Sequence, residues 1–149
     1  LLGEIKRNNE RPEILRTGYQ LTGSIVLRNA WIDSLLDCKQ YETALPIIEK
    51  ELISSRLKSS WKLRRAKAYI GTGKINAAMN DLRTCLKELD QRIHPKNPAM
   101  TLIADRGLAN ALLGNIGTAK NDLARLIHIG ADKWITIPLE QAINLIEDQ

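Results

Sequence analysis

The stretch WKLRRAKAYIGTGKINAAMNDLRTCLKEL, residues 61–89, decides the fold. Trp61, Arg65, Ala66, Ala68 and Tyr69 recur at helical spacing and make one stripe of a helix. Gly71-Thr72-Gly73 stops that helix, because glycine takes the left-handed conformation that closes a helix end without a Cβ penalty. Ile75, Ala78, Met79, Leu82, Cys85, Leu86 and Leu89 then form a second apolar face. Two amphipathic helices joined by so short a turn must lie antiparallel.

The pattern extends in both directions. Upstream, Ser24 is placed to cap a helix whose stripe is Leu27, Trp31, Leu35 and Cys38. Asp37-Cys38-Lys39-Gln40 forms a turn, and Ala44, Leu45, Ile48, Leu52 and Ile53 make the next stripe, with Pro46 expected in its first turn. Residues 57–60 connect to the middle pair, with Ser59 or Ser60 as the cap. Downstream, residues 91–99 hold Ile93, His94, Pro95, Asn97 and Pro98, and read as a loop. Leu102, Ile103, Gly107, Ala111 and Leu112 follow, then the Gly114-Asn115 turn, then Ala119, Leu123, Leu126 and Ile127, with Gly130 as the stop. A last helix is expected to begin at Pro138 and to bury Leu139, Ala142, Ile143 and Ile146. The first 22 residues carry the weakest pattern. Pro12 resets the chain, and a short helix from Glu13 to Tyr19, broken by Gly18 and Gly23, would be a docking helix or the end of a preceding unit.

The hairpins repeat. Ala44 and Ala78 stand 34 residues apart, as do Leu27 and Trp61, Leu35 and Tyr69, Ile48 and Leu82, and Leu52 and Leu86. Ala78 and Ala119 stand 41 apart, the surplus of seven falling in the proline-containing loop. A helix-turn-helix unit with a 34-residue period is the tetratricopeptide period.

On these residues the chain resembles the tetratricopeptide repeat (TPR) family. The middle unit is the best match, through Trp61, Ala66, Tyr69, Gly73, Ala78, Leu82 and Cys85. The third unit matches at Gly107, Gly114, Ala119 and Leu123 but has Asn110 where a large residue is usual. The first matches at Leu35, Tyr41, Ala44 and Ile48, but has Ile32 where a small residue is usual and lacks a turn glycine. The resemblance implies an all-α fold: a right-handed tandem helix-turn-helix superhelix of about three repeats with N- and C-terminal flanking helices. The 149 residues would form a single domain. Its parts are an N-terminal flanking segment (1–22), repeat 1 (24–56), repeat 2 (58–90), a loop insertion (91–99), repeat 3 (100–130) and a C-terminal capping helix (137–147).

The resemblance also implies a concave groove lined by the first helices of the pairs. It places Asn29, Asp33, Leu36 and Asp37 there from unit one, Leu63, Lys67 and Ile70 from unit two, and Thr101, Ala104, Leu108 and Leu112 from unit three. The family's carboxylate clamp is not carried: Asp33 and Arg64 stand where it has Asn, and Thr101 and Asp105 where it has cations. Asp33 and Asp37, one helical turn apart, are expected to concentrate negative charge at one end. Leu63, Ile70, Leu108 and Leu112 are expected to make an apolar floor, open unless the C-terminal helix folds back and fills the groove.

Residue inventory argues against catalysis. The chain has two histidines, His94 in a loop and His128 at a helix end, and no HExxH, CxxC or nucleophile elbow. Gly71-Thr72-Gly73-Lys74 lacks the spacing and preceding strand of a phosphate loop, and no cofactor or metal is expected. Cys38 and Cys85 lie beside apolar residues and read as free buried thiols, which suits a reducing compartment such as the cytoplasm. No stretch approaches the ~20 apolar residues of a membrane helix. The chain begins with Leu1 rather than Met, which suits a regulatory or adaptor domain of a larger protein. Net charge is +5. The expected function is therefore a protein–protein interaction module that takes a peptide or helix of a partner in its groove. The alternative is an RNA-binding basic helical repeat, which rests on Lys62, Arg64, Arg65 and Lys67.

Overall fold

The computed structural model describes residues 2–96 and 99–149. Asn97 and Pro98 of the expected loop, and Leu1, lie outside the described residues. Eight helices and no strand are found among the described residues: α1 (Leu2–Thr22), α2 (Ile25–Asp37), α3 (Tyr41–Ser54), α4 (Ser59–Gly71), α5 (Ile75–Arg92), α6 (Met100–Leu112), α7 (Ile116–His128) and α8 (Lys133–Glu147). The all-α expectation therefore holds. The helix register follows the sequence period. The helices α2, α4 and α6 each have 13 residues, and they begin at Ile25, Ser59 and Met100, steps of 34 and 41. Their partners α3, α5 and α7 begin at Tyr41, Ile75 and Ile116, with the same two steps.

Each pair is sealed by the first helix of the next. Trp61 and Ala68 of α4 belong to the core cluster of Ile32, Leu35, Ala44 and Ile48. Ala109 of α6 joins Leu63, Ala66, Ala78, Leu82, Cys85 and Leu89. Leu139 and Ile143 of α8 join Ile103, Ala111, Ala119 and Leu126. Alternate helices also touch, α2 with α4, α4 with α6 and α6 with α8. Ala44, Ala66, Ala78 and Ala119 are fully buried. Small side chains at these positions let neighbouring helix axes approach, and the larger residues fill the space between pairs.

The turns within the pairs share one geometry. Lys39, Gly73 and Gly114 occupy equivalent positions and have φ of 60°, 82° and 87°. In each, the N–H of that residue and of the next bond back to carbonyls of the finished helix, as in Gly73 N to Ile70 O (3.2 Å) and Lys74 N to Tyr69 O (2.8 Å). Unit one makes the same turn with a lysine, by Lys39 N to Leu36 O (3.1 Å) and Gln40 N to Leu35 O (2.8 Å).

Several boundaries differ from expectation, each for a local reason. The helix α1 runs unbroken through Pro12 and Gly18 and ends at Thr22, before Gly23 at φ 67°. Tertiary packing against α2 overrides both breakers. Pro46 and Pro138 each sit sixth in their helices, α3 and α8, one turn deeper than expected. In both cases only one carbonyl of the first turns loses its partner, a small loss against the packing of the whole helix. Thus α8 begins at Lys133 and brings Trp134 and Ile135 with it. Ser59 and Ser60 lie inside α4, whose N-cap is Lys58. The cap hydrogen bond comes from another helix instead: Glu88 of α5 accepts the Lys58 N–H at 2.9 Å. Burial opposes ionisation of Glu88, but this bond, hydrogen bonding from the Ser59 backbone and side chain and, last, the nearby Arg92 together outweigh it and hold the carboxyl below its ordinary range. Finally, α5 continues to Arg92, so the loop is shorter than residues 91–99.

Candidate functional site

The first helices of the pairs and α8 enclose a half-open cavity of about 270 Å³. Six of the residues expected in the groove line it: Asp33 from α2, Leu63 and Lys67 from α4, and Thr101, Ala104 and Leu108 from α6. The other five do not. Leu36 is buried in the first core cluster, and Ile70 and Leu112 are half-buried against the second. Asn29 is half-buried, its Oδ1 accepting from Arg28 at 3.4 and 3.3 Å. Asp37 points to α1, where Arg11 lies 3.9 Å away. The apolar floor is accordingly narrower than expected, because packing between neighbouring pairs takes Ile70 and Leu112 out of it.

The expected acidic end is also corrected. Arg64 donates to both carboxylate oxygens of Asp33, at 2.8 and 3.3 Å, and lies 4.7 Å from the Trp61 ring centroid. Arg28 lies 5.5 Å from the same ring and pairs with Glu51 at 3.0 Å. The negative charge of Asp33 is thus neutralised by its neighbour, and Asp33 and Asp37 do not act together.

Asp105, absent from the expected groove, occupies its interior. It stands on α6 among the cavity-lining residues, half-buried, and no hydrogen bond or ion pair joins it to any described side chain. Burial pushes its carboxyl up to about 6; Arg64, Lys67 and Arg92 oppose that shift and Asp33 adds to it. The signal was present in the sequence: the register that puts Thr101, Ala104 and Leu108 on one face of α6 places Asp105, four residues after Thr101, beside them.

The C-terminal helix supplies the remaining wall. Trp134, Ile135, Pro138 and Leu139 line the cavity, so α8 borders the groove without filling it. Leu139 is buried, whereas Trp134 is 68% exposed at the rim. Lys120 of α7 pairs with Glu147 at the far end of α8.

A second charged feature lies within the pairs. Arg65 donates to both oxygens of Asp81, at 2.8 and 2.7 Å, and Arg106 to both of Asp122, at 3.0 and 2.7 Å. Side-chain hydrogen bonding by the two acids raises both guanidinium pKa values. In unit one the equivalent positions hold Trp31 and Ile47, and Trp31 stacks on Tyr19 of α1 with centroids 6.3 Å apart. Cys85 is buried, its thiol donating to the Ser59 carbonyl at 3.2 Å, and burial pushes its pKa up to about 12. Cys38 is half-buried.

Among the described residues no group of three or more His, Cys, Asp or Glu side chains is placed to hold a metal ion, and no helix is long and apolar enough to cross a membrane. No family model, curated protein or solved structure matches the chain.

Proposed function

We propose that the chain is a protein-binding module of TPR-like architecture that takes a peptide or helix of a partner across its first helices, as an adaptor or regulatory domain of a larger protein. The observation that carries this reading is convergence. Residues from α2, α4, α6 and α8, far apart in sequence, meet around one half-open cavity with an apolar floor and charged rim. Apolar surface with a few fixed polar groups is the composition of a recognition site. An exposed Trp134 at the edge adds the residue type that most often anchors a protein contact.

The charge pattern favours a protein over a nucleic acid. Of the four cations that suggested RNA binding, Arg64 is held by Asp33 and Arg65 by Asp81, which leaves Lys62 and Lys67 without a carboxylate partner of this kind. A phosphate backbone needs a continuous row of available cations.

The test is selection from a random peptide library on the immobilised chain, with Thr101→Trp as the control. Thr101 is exposed and lines the cavity, so a tryptophan there obstructs the groove without entering the core. Enriched peptides that bind the wild type and lose binding to the variant support the reading. Peptides indifferent to Thr101→Trp, or retention on immobilised RNA that survives physiological salt, overturn it.

A further inference from the structure

We propose that the cavity receives one basic side chain of the docked polypeptide, a lysine or arginine, whose cation meets the Asp105 carboxylate while its aliphatic stem lies against Leu108, Leu139 and Trp134. This rests on the protein-binding reading above and names the anchor it uses.

Four observations lead to it. The first is that Asp105 lacks a partner. The other acid of the cavity, Asp33, is engaged by Arg64. Asp105 alone lines the cavity with no hydrogen bond or ion pair to a described side chain. A carboxylate in a half-closed apolar site is destabilised unless a donor or cation arrives. Second, the walls suit a stem with a charged tip. Leu63, Ala104, Leu108, Ile135 and Leu139 present hydrocarbon, and long basic side chains lay their methylenes on such surface. Third, Trp134 stands at the mouth with 68% of its surface exposed, where an indole face attracts a cation. Fourth, the volume is right. At about 270 Å³ the space falls below the ~300 Å³ at which pockets begin to enclose whole small molecules, and so fits one inserted side chain.

The surrounding charges limit the ligand to a single cation. Lys67 of α4 lines the same cavity, Arg64 stands beside it, Arg92 of α5 acts on Asp105 from a third helix, and the chain carries a net +5. A polybasic segment would be repelled by these groups, whereas one cation placed between Asp105 and Trp134 would not. The wall contributed by α8 to the cavity holds no charged residue. Burial pushes the Asp105 carboxyl of the empty cavity up to about 6, so protonation competes with the cation and the anchor weakens progressively as pH falls through that range.

The experiment is the same peptide selection, run in parallel on the wild type and on Asp105→Asn. Enriched peptides should carry one Lys or Arg bordered by apolar residues, and the Asn variant should lose that preference. A selected peptide should bind Asp105→Asn about tenfold more weakly than wild type at pH 7.5, the effect expected for a hydrogen bond to a charged group. Its affinity for the wild type should fall roughly tenfold between pH 7.5 and pH 5, while that for the variant stays level. Peptides that respond to Thr101→Trp but show no basic preference, or bind Asp105→Asn equally well, overturn the anchor and leave the groove standing. Peptides indifferent to Thr101→Trp overturn the groove and the anchor together.

Discussion

Arg106 grips Asp122 with two parallel hydrogen bonds, of 3.0 and 2.7 Å, across the antiparallel pair α6–α7. The acid is nearly buried, at 6% side-chain exposure, so its charge depends on the guanidinium. Arg65 and Asp81 repeat the arrangement at the same sixteen-residue spacing in α4–α5, but α2–α3 substitutes Trp31 and Ile47. The fold therefore accepts either an ion pair or an apolar pair at this level, and only a broken pair is harmful.

Asp122→Leu should lower stability by about 3 kcal/mol, because it leaves Arg106 half-buried with only Asp90, 3.6 Å away and exposed, as a partner. Adding Arg106→Met should restore most of the loss. Urea unfolding of the two variants decides the matter; a double variant less stable than the single one would contradict the account.

Lys39→Gly should stabilise the chain by about 1 kcal/mol. Lys39 holds φ at 60° in a turn that glycine makes in the two later units. A side chain in the left-handed region costs about 1–2 kcal/mol, offset in part by the greater freedom of glycine when unfolded. The midpoint of thermal unfolding should rise by several degrees.

Asp105→Asn should raise stability at pH 7.5 and lose that advantage in acid. The folded chain holds the Asp105 proton more tightly than the unfolded chain, with a carboxyl at about 6 against an ordinary 3.8. The contribution of Asp105 to wild-type stability therefore falls as pH rises from 3.8 to about 6 and is level above it, and comparison with Asn isolates it from the other carboxylates. The gain from Asn should be about 2 kcal/mol at neutral pH, reduced by water reaching the carboxylate through the cavity, and should shrink to nothing near pH 4. Melting curves across pH 4–8 measure it. A binding residue that weakens its own fold is a common stability–function trade-off.

Gly107→Ala should destabilise the contact between α6 and α8. A methyl group there would come within 2.7 Å of Leu139 Cδ2 and 3.3 Å of Asp122 Cβ. Leu139 is buried and cannot move aside without disturbing the third cluster, so a loss of about 1–2 kcal/mol is expected despite the better helix propensity of alanine. Amide exchange in α8 should accelerate more than in α4, where Ala66 already occupies the equivalent position.

The repeat was legible because its determinants are local. Ala44, Ala78 and Ala119 set the register, and the helices start on the steps those alanines imply. Helix limits were less legible, since Pro12 and Pro46 signal a start yet lie inside helices whose packing outweighs one lost hydrogen bond. The groove was legible where its residues point away from neighbouring pairs, as Lys67 and Thr101 do. It was not where the next pair covers them, as happens to Leu36 and Ile70. Asp105 was legible only as a departure from the family's clamp, although the register that puts Thr101 in the groove puts Asp105 beside it on α6. The Arg65–Asp81 and Arg106–Asp122 pairs could have been found from their identical spacing.

Each core cluster takes its members from one helix pair and the first helix of the next. Cooperation between distant ends of the molecule must therefore pass through every interface in turn. A chain built this way has no single keystone, and tension applied to its two ends should release it in successive steps, the terminal helices yielding before the Trp61 layer.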